Sequence, residues 1–335
     1  MVLLTFFTKI LHFFSSEISH HLALKGLHAL YLLGILKFFI QINDTPSLED
    51  HASGIKKLKN KLGIAAGLDK NGDYIDSLSA LGIGFLEIGT VTPLPQNGNP
   101  KPRLFRNIEE KSLLNRMGFN NKGLDHVVKK LQDKKSNIAI GTSIGKNFNT
   151  KLEDAHKDYL VCLDRVYEYS DYIAVNISSP NTKDLRELSS QDYLNDLLMK
   201  LNKKQKELSS IFGFKPVFVK ISPDENDESL AIICKTIMEH KLNGIICSNT
   251  TVEHKDKNGE GGLSGAPLRR RSNQKLELIK KIVGDNLPVI ASGGVMSPED
   301  YNEKLEIGAD LVQVYSGFIF EGPKLIRDIT NQNKI

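Results

Sequence analysis

Residues 172–182 read Tyr172-Ile-Ala-Val-Asn-Ile-Ser-Ser-Pro-Asn-Thr182. The run is apolar to Ile177, apart from Asn176, and then turns to hydroxyls and an amide. A helical pattern follows over Tyr193–Leu208, and then a second apolar run, Val217–Ile221, which leads into Ser222-Pro223. A short continuous apolar run reads as a strand buried on both faces. Strand, helix, strand is the repeating unit of a parallel sheet. The same alternation extends to either side. Leu62–Ala66, Phe85–Gly89, Ile138–Gly141, Gly244–Cys247, Val289–Ala291 and Leu311–Val314 are further strand-like runs, with helical patterns such as Asp154–Tyr169 and Asp227–His240 between them. Eight such runs predict an α/β fold, a (β/α)8 barrel of the usual size of about 250 residues. The rival is a doubly wound open sheet. It would want GxGxxG after the first strand, and Gly63-Ile-Ala-Ala-Gly67 does not supply one.

The composition narrows the function. With 40% hydrophobic and 25% charged residues, the chain is neither disordered nor coiled coil as a whole. The net charge of +4 is too small to argue for nucleic acid. Cys162, Cys234 and Cys247 have no CxxC spacing, so neither a disulfide scaffold nor a zinc site of the usual kind is expected.

The N-terminus differs from the rest. Residues 1–40 carry only Lys9, Glu17, Lys25 and Lys37 as charges, together with His12, His20, His21 and His28. Leu3, Phe6, Phe7, Ile10, Leu11 and Phe14 have the spacing of one apolar helix face. After a break at Ser15–Ser16, Leu24, Leu27, Leu30, Tyr31 and Phe38 predict a second helix. No uncharged stretch approaches the roughly 20 residues of a membrane span. A signal peptide would want a basic start, and a mitochondrial presequence would want arginine, which first occurs at Arg103. Two short helices lying in a membrane interface fit better; the plainer alternative is a hairpin packed on the main domain. The expected organisation is a helical hairpin over 1–42, a linker over 43–60 and a barrel over 61–335.

In such a barrel the active site lies at the C-terminal strand ends. There the sequence offers amides, hydroxyls and lysines. Asp69 is the main carboxylate, so paired carboxylates for glycoside chemistry are not offered. No histidine follows a strand run, which argues against a catalytic triad or metal-assisted hydrolysis. Asparagines after the fourth and sixth runs, with Asn115 and Asn120, suit a flat ligand rich in carbonyl and N–H groups, because each amide both donates and accepts. Gly293–Gly294, Ser316–Gly317 and Gly261–Gly265 are placed to cradle one phosphate with backbone N–H groups. Lys70 and Lys220 are expected to point into the same mouth.

At these residues the sequence resembles the dihydroorotate dehydrogenases, specifically their quinone-linked, membrane-associated class. The matching stretches are Ala65-Ala-Gly-Leu-Asp-Lys70, Glu87-Ile-Gly-Thr-Val-Thr-Pro93, Lys101-Pro-Arg-Leu-Phe-Arg106, Asn115-Arg-Met-Gly-Phe-Asn-Asn121, Asn176-Ile-Ser-Ser-Pro-Asn-Thr182, Gly261-Gly-Leu-Ser-Gly265 and Val314-Tyr-Ser-Gly-Phe318. They occur in family order across most of the chain.

The resemblance implies one FMN per chain and oxidation of dihydroorotate to orotate in pyrimidine synthesis. It implies Ser179 as the base that takes the C5 proton; because a hydroxyl is a weak base until something helps it, a relay through a neighbour such as Thr182 or a bound water is expected. It implies a substrate site of Lys70, Asn115, Arg116, Met117, Gly118, Phe119, Asn176, Asn181, Asn249 and Thr250. For FMN it implies Ala66, Gly67, Lys70, Thr90, Ser143, Asn147, Asn176, Lys220, Ser248, Gly265, Gly293, Gly294, Tyr315 and Ser316. His20 and Arg106 would line the path of a membrane quinone. At position 143 the family usually has Asn; Ser reaches less far and offers one donor rather than two. The soluble relatives carry Cys where this chain has Ser179, and they lack the N-terminal helices. A related FMN-barrel dihydropyrimidine or soluble-type enzyme with another acceptor is therefore the alternative. A catalytically silent phosphate-binding barrel tethered to membranes is the alternative from another class. The expected location is the cytoplasmic face of a bacterial inner or plasma membrane, with lipid and quinone as partners, no nucleic acid and no metal.

Overall fold

The computed structural model describes residues 13–38, 52–182 and 185–332. Its strands in chain order are β1 (Leu62–Ile64), β2 (Phe85–Val91), β3 (Leu104–Asn107), β4 (Ser112–Asn115), β5 (Ala139–Ile144), β6 (Tyr172–Asn176), β7 (Val217–Lys220), β8 (Gly244–Cys247), β9 (Gly262–Gly265), β10 (Val289–Ser292) and β11 (Leu311–Val314). Eight of them close a parallel barrel in the order β1-β11-β10-β8-β7-β6-β5-β2. These are the eight runs read as strands, and the rival open sheet is excluded.

Aromatic rings fill the lower half of the barrel. Phe85, Tyr172 and Phe218 meet edge to face, with centroids 6.2 and 5.7 Å apart. Each ring takes the space a neighbouring glycine leaves. A Cβ on Gly141 would lie 2.0 Å from the Tyr172 ring, and one on Gly244 would lie 2.2 Å from Phe218. Ile55 and Leu58 join this layer, both buried. The part of the expected linker that is described here is therefore packed, not a spacer: its apolar side chains join the barrel's lowest layer.

Helices follow the strands: α1 (Ser16–Leu32) precedes the barrel, and α2 (Ile75–Ser79), α3 (Leu124–Asp133), α4 (Ala155–Val166), α5 (Gln191–Phe212), α6 (Asp227–Glu239), α7 (Arg269–Val283), α8 (Pro298–Ile307), α9 (Ser316–Glu321) and α10 (Pro323–Gln332) surround it. Ser15 is the N-cap residue of α1, so the break read at Ser15–Ser16 is a helix start. The apolar run Leu3–Leu11 lies outside the described residues. Leu24 and Leu27 are buried, but Phe38 falls in a separate short 3-10 turn and is exposed. It does not share the helix, because the chain turns at Gly34, whose φ of +67° ends helical geometry.

One element was not legible. Strands β3, β4 and β9 form an antiparallel sheet in the order β3-β4-β9, apart from the barrel. Gly262–Gly265, read as a loop, is its edge strand. Its glycines and serine have low strand propensity, and pairing with β4 decides the conformation.

Candidate active site

The pocket at the barrel mouth holds about 980 Å³ of space, open solvent at its mouth included. Barrel strands end at its floor and β4, β9 and their loops form one wall. Most of the site residues named from the sequence line it together. Ala66, Gly67 and Lys70 follow β1, Thr90 is on β2, and Asn176, Ser179 and Asn181 lie at or beyond the end of β6. Lys220 ends β7, and Ser248, Asn249 and Thr250 follow β8. Gly265, Gly293, Gly294, Tyr315 and Ser316 come from β9 and the ends of β10 and β11. Asn115, Met117, Gly118 and Phe119 complete it.

The amides hold one another in place. Asn181 Nδ2 donates to Asn115 Oδ1 at 3.0 Å, and Asn115 Nδ2 donates to Gly262 O at 3.0 Å. Asn176 Nδ2 donates to Thr90 Oγ1 at 3.1 Å, and Asn249 Nδ2 donates to Ser178 Oγ at 3.1 Å. Parallel register places Asn176 directly beside Lys220. Ser179 is buried, and its Oγ accepts from Asn181 N at 3.3 Å. Three further polar atoms at or near the site, Asn120 Oδ1, Gln313 Oε1 and Thr182 Oγ1, are buried and have no partner among the described residues. Buried polar atoms without partners are rare and costly, so a polar ligand or water is expected to satisfy them.

Backbone shape fits a phosphate on the opposite wall. Gly294 has a φ of +75°, and a Cβ there would lie 2.3 Å from Arg269 Cα; a Cβ on Gly317 would lie 2.1 Å from Val295 O. Side chains at these positions would force the wall apart. Only a bare backbone leaves a surface of N–H groups that an anion can approach closely.

Charge at the mouth is positive. Lys70 donates to Gly67 O at 2.6 Å, and burial, helped by the Arg103 charge, pushes its ammonium down to about 8. Asp69 does not face the pocket. It accepts the N–H groups of Asp73 and Tyr74 at 3.0 and 2.8 Å, and burial pushes it up to about 6.

Several named residues lie elsewhere. Arg116 is turned out of the pocket, stacked 4.9 Å over the Phe105 ring and donating to Asn258 O. Strand alternation sends it to the face opposite Asn115. Asn147 ties down the loop after β2, donating to Leu94 O and Gln96 Oε1, and lines a separate groove there. Ser143 is fully buried and touches the site only through Thr90, hydroxyl to hydroxyl at 2.9 Å. Its shorter reach stops one side chain short of the pocket. His20 and Arg106 stand on the α1 side. Burial, with the nearby Lys70 charge, pushes His20 down to about 3, so its ring is neutral at ordinary pH. Arg106 donates to Phe14 O at 3.0 Å.

Four contributors escaped sequence reasoning. Arg103 is buried and donates to Glu17 of α1 at 2.8 Å and to Asn99 O at 3.0 Å, so it bolts the N-terminal helix to the loop before β3. Asn99 Nδ2 in turn donates to Asn181 O at 3.2 Å. Glu87 stands inside the barrel beneath the pocket, and Gln313 lines the pocket above it. The one available signal was a charged and an amide side chain within otherwise apolar strand runs.

Comparison with known proteins agrees with this geometry. The sequence model of the dihydroorotate dehydrogenase family matches residues 48–334. A dihydroorotate dehydrogenase (quinone) of Aliivibrio fischeri is 50% identical over 282 residues, 82% of this chain and 84% of that one. One from Buchnera aphidicola subsp. Schizaphis graminum is 44% identical over 328 residues, covering 96% and 97%. Among solved structures, the Eimeria tenella enzyme crystallised with ferulenol superposes with a TM-score of 0.83 at 31% identity, covering 95% of this chain and 90% of that chain.

Proposed function

The chain belongs to the dihydroorotate dehydrogenase family, and from that premise we propose that it oxidises dihydroorotate to orotate with FMN as redox cofactor and a membrane quinone as acceptor, in pyrimidine biosynthesis. The observation that carries this reading is the mouth pocket. A ring of mutually braced asparagines faces a bare-backbone wall across Lys220. Bound FMN would accept hydride from the substrate and pass its electrons to quinone. Gly265, Gly293, Gly294 and Ser316 would hold its phosphate, and Lys220, Thr90 and Asn176 its polar ring edge. The protein's share of the chemistry is position and proton transfer. Asn115, Asn181, Asn249 and Thr250 orient the substrate. Alignment of this kind can supply about 7–11 kcal/mol at best.

Ser179 takes the C5 proton, which the adjacent carbonyl acidifies. A hydroxyl is a weak base until it can pass its own proton on. Thr182 supports such a relay, since its buried Oγ1 has no partner among the described residues. Burial of the pocket floor excludes bulk water from the reacting carbons.

The N-terminal region serves the acceptor. Phe13, Ile18, Leu22, Leu32, Leu33 and Phe38 are exposed on or beside α1, while Leu24 and Leu27 pack inward. No helix among the described residues is long and apolar enough to cross a membrane. An apolar outer face without a span fits a peripheral helix in the membrane interface of a bacterial cell. His20 and Arg106 then border the acceptor's path between α1 and β3. Orotate formation assayed with quinone, fumarate and NAD in parallel tests the reading. Turnover is expected with quinone alone; preference for fumarate or NAD would replace it with the soluble-type alternative.

A further inference from the structure

Glu87 is fully buried inside the barrel, one layer below the pocket floor. Its Oε2 accepts from Gln313 Nε2 at 2.7 Å and from the Tyr172 hydroxyl at 3.1 Å. Its Oε1 has no hydrogen-bond partner among the described residues and lies 3.9 Å from Lys220 Nζ. Lys220 is itself buried and lines the pocket from below. Strand alternation makes Glu87, Tyr172 and Lys220 the titratable groups that the eight barrel strands turn inward at this level; the remaining inward positions there carry small, apolar, hydroxyl or amide side chains. Lys70 lies on the pocket wall above.

A carboxylate here is expensive unless it serves a partner, since isolated buried charges are costly to desolvate. The same burial would strip a lone lysine of its proton. Glu87 is not part of the substrate or cofactor surface, because Lys220 and Gln313 stand between it and the pocket.

We propose that Glu87 is a positioning residue that pairs with Lys220 beneath the flavin ring edge and thereby sets the reduction potential of the cofactor. The inference rests on the FMN reading above. Hydride transfer brings two electrons and one proton to the ring, leaving it with one more negative charge. The Glu87–Lys220 pair, 3.9 Å apart, places a basic group there beforehand. A buried lysine left without its partner is costly to keep charged, so in a Glu87→Gln protein reduction of the ring is expected to draw one further proton from solvent.

The test is spectroelectrochemical titration of the purified holoenzyme and its Glu87→Gln variant between pH 6 and 9. The variant is expected to have a lower potential at pH 8–9, by at least tenfold in the reduction equilibrium, about 30 mV for a two-electron couple. Its potential should also depend more steeply on pH, by one extra proton per two electrons, and the wild type should show no such break. In a Lys220→Met background the Glu87→Gln effect should vanish, which a merely structural role would not produce. Tyr172→Phe keeps the ring packing and removes one donor to Glu87. It should give the same change in smaller measure, and it decides the matter if Glu87→Gln does not fold. A potential that is unchanged, or that rises at every pH with an unaltered slope, overturns the proposal while leaving the FMN reading intact. A protein that binds no FMN overturns that reading instead.

Discussion

Asn181 Nδ2 donates to Asn115 Oδ1 at 3.0 Å, joining residues 66 apart in sequence across the top of the barrel. The bond fixes the orientation of both amides, so each presents its remaining groups to the pocket in one way only. Asn181→Ala should therefore harm substrate recognition twice, by losing its own contact and by freeing Asn115. We expect FMN to stay bound and the KM for dihydroorotate to rise by roughly 5- to 150-fold, the equivalent of about 1–3 kcal/mol. Steady-state kinetics at saturating quinone measure this. An unchanged KM would place the substrate elsewhere in the pocket.

Ser179→Ala should leave the yellow colour intact and slow anaerobic flavin reduction at least about 10²-fold, the low end for loss of a general base. Thr182→Val should slow the same step to a lesser degree, since it removes the relay and not the base. Stopped-flow reduction by dihydroorotate checks both. Near-normal reduction in the Ser179 variant would move the base to another group.

The His20 ring is held neutral, with a folded value of about 3 against 6.5 for the free side chain. The unfolded chain therefore binds this proton first. Stability associated with His20 is complete above about pH 6.5 and is lost as pH falls from there toward 3. At pH 5 the loss is up to about 2 kcal/mol. His20→Gln should flatten that part of the curve. Urea unfolding of both proteins at pH 7 and pH 5 tests it; equal losses in the two would show that the ring is not buried as described.

Deleting residues 1–40 removes α1 and its Glu17–Arg103 ion pair but, among the described residues, none that lines the pocket. FMN binding and anaerobic reduction should survive, provided the barrel stays soluble. Reoxidation by long-tailed quinone and binding to lipid vesicles should be lost or strongly weakened, while small soluble acceptors still work. His20→Ala should show a milder form of the same split. A truncated protein with unchanged kcat/KM for long-tailed quinone would make the helices mere packing.

The barrel was readable because its strands are buried on both faces. Runs such as Tyr172–Val175 and Val217–Val219 carry the pattern without interruption, and a polar residue enters only at the mouth, at Asn176 and Lys220. The mouth was readable because barrel strands end there. What escaped are features decided by pairing and direction. Strand β9 is glycine-rich and takes its shape from β4. Arg116 was expected at the substrate and Arg103 was given no role, yet Arg103 is the buried one, held by Glu17 from a distant helix. Ser143, expected as a shortened flavin contact, stands behind Thr90, hydroxyl to hydroxyl, which its sequence position did not reveal. Glu87 was quoted only as part of a motif, because nothing local to it reveals that Lys220 stands above it.

Mixing the purified protein with dihydroorotate in the absence of oxygen, while recording its visible spectrum, tests the central claim most directly. A yellow protein with about one FMN per chain is expected. Its flavin absorbance should bleach as an equivalent amount of orotate forms, and should return when quinone is added. A colourless protein that cannot be reconstituted with FMN, or a yellow one that dihydroorotate leaves unbleached, would contradict the account.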